Sequence, residues 1–124
     1  MAVALVVDDS MLIRHTVCRY LEDRGWRVEA ATDGGEALQM LSHLRPDLIV
    51  TDMQMPAMTG TEFITRVKNS SATANIPIII LCGRNSEPEA KANESRAKCA
   101  IYKDIDIVSQ LESALTTALG TARA

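Results

Sequence analysis

Five apolar runs of strand length, each followed by a stretch of helical periodicity, constrain this chain more than any other feature it has. The runs are residues 3–7, 28–31, 47–51, 76–81 and 99–102. No polar residue interrupts Leu48, Ile49 and Val50, or Ile78, Ile79, Ile80 and Leu81. A strand with one wet face alternates apolar and polar residues, whereas a strand covered on both faces does not. Strict alternation of such strands with helices implies an α/β fold, a parallel sheet with helices on both faces.

The helices are written between the runs. Ser10 suits the N-cap of the first, whose stripe is Ile13, Val17 and Leu21 and which stops near Gly25. The second carries Ala37, Leu38, Leu41 and Leu44, and Pro46 ends it. The third follows Thr59 and Gly60, with Phe63, Ile64 and Val67 on one side. Ser86 and Glu89 have capping-box spacing and predict the start of the fourth. That helix offers only Ala90 and Ala92 to a core, so it is expected to be weakly held, either as a poorly anchored surface helix or as a mobile element. The fifth follows Asp106, with Val108, Leu111, Leu115 and Ala118 at helical spacing. Residues 69–75 are expected to be the loosest loop.

Composition narrows the function. The 124 residues suit one domain, with a core over 2–119 and a short tail over 120–124. Thirteen Lys and Arg against sixteen Asp and Glu give a net charge of -3 without a basic block, which argues against nucleic-acid binding. No apolar stretch reaches membrane-spanning length, and no signal peptide is evident. Cys18, Cys82 and Cys99 are scattered without a CxxC, against a disulfide framework or zinc site. The expected location is the reducing cytoplasm.

Chemistry concentrates in the acids at the strand ends. Asp8 and Asp9 stand where the first apolar run meets a turn, and Asp52 follows the third run. In a parallel sheet the C-terminal ends of adjacent strands open on one crevice, so the three carboxylates can face one another there. They would repel each other without a positive partner, and a hard divalent cation with oxygen ligands is the natural one. Asp8 alone also suits the positive end of the first helix.

With these positions in place, the chain resembles the receiver domain of two-component response regulators over residues 2–119. The resemblance rests on Val6-Val7-Asp8-Asp9-Ser10, Asp33-Gly34-Gly35-Glu36-Ala37-Leu38, Pro46 through Asp52, Met55-Pro56, Gly60 and Lys103. It implies a flavodoxin-like (βα)5 fold with strand order 2-1-3-4-5. It implies Asp52 as phosphoacceptor from a phosphohistidine on a sensor histidine kinase or phosphotransfer protein. It also implies Mg2+ held by Asp8, Asp9, Asp52 and the backbone carbonyl of Gln54, with Lys103 on a phosphoryl oxygen. Such a chain is a switch, not an enzyme, catalysing only its own phosphotransfer and dephosphorylation. A homodimer, and a downstream protein target or fused output domain, are the partners the family implies.

Departures fall in the second half. Cys82 stands where receivers usually carry a Thr or Ser that contacts the phosphoryl group, and a thiol is a poorer donor. Ala100 stands at the usual Tyr or Phe switch position, with Tyr102 on the same strand face. Asp104 replaces the usual cis-proline and predicts a trans bond after Lys103. Ala97-Lys98 replaces the usual Gly-Ala. These departures support an alternative, a pseudo-receiver governed by partner binding. An aspartyl-phosphate phosphohydrolase is more remote, since Gln54 cannot serve as its general acid/base.

Overall fold

The computed structural model describes residues 2–103 and 106–120, with only the backbone of Arg84. In order, the elements are β1 (Val3–Val7), α1 (Met11–Glu22), β2 (Arg27–Ala31), α2 (Gly34–Leu41) and β3 (Leu48–Asp52). There follow α3 (Gly60–Lys68), β4 (Ile78–Cys82), a 3-10 turn (Arg84–Ser86), α4 (Glu87–Ala92), β5 (Cys99–Tyr102) and α5 (Ile107–Leu119). All strand pairs are parallel and the order is β2-β1-β3-β4-β5, the flavodoxin-like arrangement. The expected bond at Asp104 and the tail beyond residue 120 lie outside the described residues.

Side-chain alternation divides the core into two layers. Ala4, Val6, Leu48, Val50, Ile79 and Leu81 point to the face covered by α1 and α5. Leu5, Val7, Ile49, Ile78, Ile80 and Cys82 point to the other, under α2, α3 and α4. Every residue of β3 and β4 is buried, which is why these strands contain unbroken apolar runs.

The predicted cap forms at Ser10, which accepts from Ile13 N, and Asp106, which the fifth helix follows as expected, caps α5 by accepting from Val108 N and Ser109 N. Thr59 and Glu62 close a full capping box on α3. The box expected at Ser86 and Glu89 does not form. Ser86 Oγ accepts from Gly83 N and bonds Gly83 O, so the 3-10 turn takes the hydroxyl that would have capped α4. β4 starts two residues later than expected, because Ile76 N donates back to Thr73 O and Pro77 has no N–H to give the ladder.

Two expectations about looseness need correction. Residues 69–75 are tied down: Thr73 Oγ1 donates to Val67 O at 2.7 Å and Lys68 Nζ to Ala74 O at 2.9 Å. α4 buries little apolar surface, as expected, but polar contacts anchor it to α3. Asn93, 1% exposed, donates to Thr61 Oγ1 and Glu89 O, and Arg96 bonds Thr65 Oγ1 and Asn93 Oδ1.

Candidate functional site

Register brings the acids together. Val7 pairs with Thr51 across β1 and β3, so Asp8 and Asp52 follow at the same sheet edge. Ligand oxygens of Asp8, Asp9 and Asp52 all lie within 4.8 Å of one another. Asp8 is fully buried, Asp52 is 3% exposed and Asp9 faces solvent. Burying carboxylates this close costs free energy unless something positive stands with them.

Lys103 is that partner. It follows β5, where its backbone N–H donates to Cys82 O, and its side chain reaches back over the end of β4. Its Nζ stands 2.8 Å from Asp8 Oδ2 and 3.0 Å from Asp52 Oδ1. Lys103 Nζ is the near partner of Asp8 Oδ2, and no other donor reaches that buried oxygen among the described residues. Lys103 is thus half-buried in the cluster, not a solvated surface lysine.

The two oxygens of Asp52 differ. Oδ1 accepts from Met53 N at 2.8 Å and Gln54 N at 3.3 Å and faces Lys103. Oδ2 has no such partner among the described residues. Burial raises the Asp52 pKa above the usual carboxylate range, and the Asp8 charge adds to this, against Lys103 and the Gln54 N–H. Burial alone would lower the Lys103 pKa, but Asp8 and Asp52 outweigh it and hold the ammonium above its ordinary value.

Neighbouring elements fix this geometry. Asp8 Oδ1 accepts from Ser10 N, consistent with its suitability for the start of α1. Arg14 on α1 donates to Asp8 O, a contact with no signal in the sequence beyond its helical spacing from Ser10. Gly60 lets α3 begin against the end of β3. A Cβ there would lie 2.5 Å from Met53 Cα and 2.7 Å from Asp52 O. Ala57 closes the intervening turn at φ 68, a conformation unfavourable for a residue with a Cβ.

A cleft opens over the cluster, lined by Asp9, Asp52, Gln54, Gly83, Asn85, Ser86 and Lys103. Gln54 Nε2 also donates to Asn85 O across it, a link that strand and helix patterns could not reveal. Cys82 is fully buried in the core layer beneath α4 and is not among the residues lining the cleft. Ala100 and Tyr102 pack toward that same layer, as alternation predicts.

The model of the response regulator receiver domain matches residues 4–116. The chain belongs to this family. It is 38% identical over 88 residues to the response regulator MprA of Mycobacterium sp. (strain KMS), covering 71% of this chain and 37% of that protein. It is 38% identical over 85 residues to the phosphate regulon transcriptional regulatory protein PhoB of Escherichia coli (strain K12), covering 68% and 37%. The matches thus span little more than a third of the length of these curated relatives. Among solved structures, the chemotaxis response regulator CheY4 of Vibrio cholerae superposes with a TM-score of 0.83 at 36% identity, over 94% of this chain and 98% of that one. A receiver domain of a Syntrophus aciditrophicus histidine kinase gives 0.84 at 27% identity, over 100% and 95%.

Receiver domains act in two-component signalling, interact with histidine kinases and output domains, and generally bind Mg2+ at an acidic cluster. The residues present suit such an ion. Three carboxylates cluster beside one lysine that pairs with two of them, all the donors are hard oxygens, and buried Asp8 Oδ2 has Lys103 alone as its partner among the described residues. Among the described residues no helix is long and apolar enough to cross a membrane.

Proposed function

We propose that this receiver is a phosphorylation-activated switch that takes a phosphoryl group onto Asp52 from a phosphohistidine on a sensor histidine kinase or phosphotransfer protein. The observation that carries this reading is the division of labour at Asp52: Oδ1 is held by two backbone N–H groups and Lys103, leaving Oδ2 for chemistry. Oδ2 forms the new bond to phosphorus as the bond to the donor imidazole nitrogen breaks. The imidazole leaves with the electron pair and takes up a proton.

Asp8, Asp9, Asp52 and the Gln54 carbonyl would hold Mg2+. When bound, it supplies neutralisation of charge between the carboxylates and the incoming phosphoryl oxygens. Lys103, already beside Asp52, turns its compact charge to a phosphoryl oxygen. The chain acts in the cytoplasm as a signalling module, catalysing only its own phosphorylation and dephosphorylation, with an output partner or a second copy as target.

Cys82 and Ala100 favour a second reading, an interaction module that keeps the fold but is not switched by phosphate. A buried thiol and a methyl group stand where a hydroxyl and a ring are usual, so the α4–β5 side differs in the groups that would sense Asp52. Intact-protein mass spectrometry after incubation with acetyl phosphate and Mg2+ separates the two. A Mg2+-dependent phosphate adduct absent from Asp52→Asn supports the switch. Absence of the adduct with acetyl phosphate and with a phosphorylated histidine donor supports the interaction module.

A further inference from the structure

β4 and β5 end at the acid cluster, and at the opposite pole, where they begin, lies a second concavity of about 470 Å³. Such a volume falls in the range of small-molecule sites. Three cations line it: Lys68 from the end of α3, and Arg96 and Lys98 from the link between α4 and β5. No acidic residue is among the described residues lining it, although the chain as a whole is acidic. Ile76, Pro77 and Ala97 supply apolar wall.

The cations keep donors in reserve. Lys68 gives two of its three N–H donors to Ala74 O and Ile76 O, and Arg96 gives two of its five to Thr65 and Asn93. These bonds fix both heads in place without neutralising them. The Lys98 ammonium has no ion pair or hydrogen bond among the described residues. It is exposed, so the core does not depend on its charge. Burial lowers the Lys68 pKa, and Lys98 and then Arg96 lower it further, so the three charges crowd one another.

We propose that this cleft binds a small organic phosphate, the phosphate meeting Lys68, Arg96 and Lys98 and the organic part resting on Ile76, Pro77 and Ala97. A fork-shaped guanidinium beside two ammonium groups suits a phosphate, and apolar wall suits a ring. Occupancy would tie the α4–β5 link to the end of α3, acting on the divergent half from a site separate from Asp52.

The test is amide NMR titration of the full chain at low ionic strength in EDTA, with adenosine monophosphate and inorganic phosphate as probes. Adenosine monophosphate is expected to give saturable shifts at amides 74–76, 78 and 95–98, and to bind about tenfold tighter than inorganic phosphate. Lys98→Glu, an exposed position, is expected to weaken it by about tenfold or more, as is raised salt. The proposal is overturned by shifts that do not saturate, by shifts confined to the acid cluster, by undiminished binding in Lys98→Glu, or by inorganic phosphate binding as tightly.

Discussion

β3 and β5 both flank β4, yet they are held in different ways. β3 is buried along its whole length and delivers Asp52 from the middle of the sheet, between β1 and β4. β5 is an edge strand on which only Ile101 is buried, and polar side-chain bonds hold it and its neighbour α4. A buried strand between two parallel partners cannot shift without moving both core layers, so the acids inherit the precision of the core. An edge held by side-chain bonds accepts substitution more readily. Positions 97, 98 and 100, where the chain departs from the receiver pattern, lie on that edge or on the approach to it, whereas Cys82 departs from within buried β4 and Lys103 reaches the acids from the end of β5.

The sharpest way to test the acid cluster is to remove the cation that pairs with Asp8 and Asp52. Lys103→Met leaves Asp8 and Asp52 buried without compensation and is expected to cost about 3 kcal/mol in metal-free urea unfolding. Mg2+ should restore part of that loss. Unchanged stability would mean that the lysine is not what holds the acids. Gly60→Ala comes next, since its Cβ meets Met53 Cα at 2.5 Å and backbone must give way. A loss of about 2 kcal/mol and a slower gain of phosphate at Asp52 are expected.

On the edge side, Asn93→Ala removes the link from α4 to Thr61 and should cost about 1 kcal/mol. Hydrogen exchange should quicken in α4 and leave β3 protected. Equal quickening in β3 would break the contrast between the two regions.

The smallest effect is a slope. Burial first and Asp8 second raise the Asp52 pKa, so the folded chain holds that proton more tightly than the unfolded chain. Asp52 therefore makes metal-free stability fall as pH rises from the ordinary carboxylate range through the raised value. Asp52→Asn should flatten that part of the profile, as read by thermal unfolding across acid pH.

Much of this was legible in the sequence, for definite reasons. Unbroken apolarity at 48–50 and 78–81 reports burial on both faces, and Ser10, Thr59 and Asp106 mark helix starts because capping is local chemistry. The acids could be placed because strand ends share one edge. What escaped was settled by tertiary contact. Ser86 has the spacing of a cap, but a competing turn at Gly83 takes its hydroxyl. α4 looked unanchored because apolar counting does not see Asn93 and Arg96 reaching α3. Thr73 and Lys68 close the 69–75 loop through carbonyls that no pattern identifies.

The central claim is that Asp8, Asp9 and Asp52 act as one cation site. Calorimetric titration with Mg2+ of the wild-type chain, Asp9→Asn and Asp52→Asn tests it most directly. One ion per chain is expected, bound at least about tenfold more weakly in each variant. Undiminished binding in Asp52→Asn would contradict the account, because the phosphoacceptor would then stand outside the metal site.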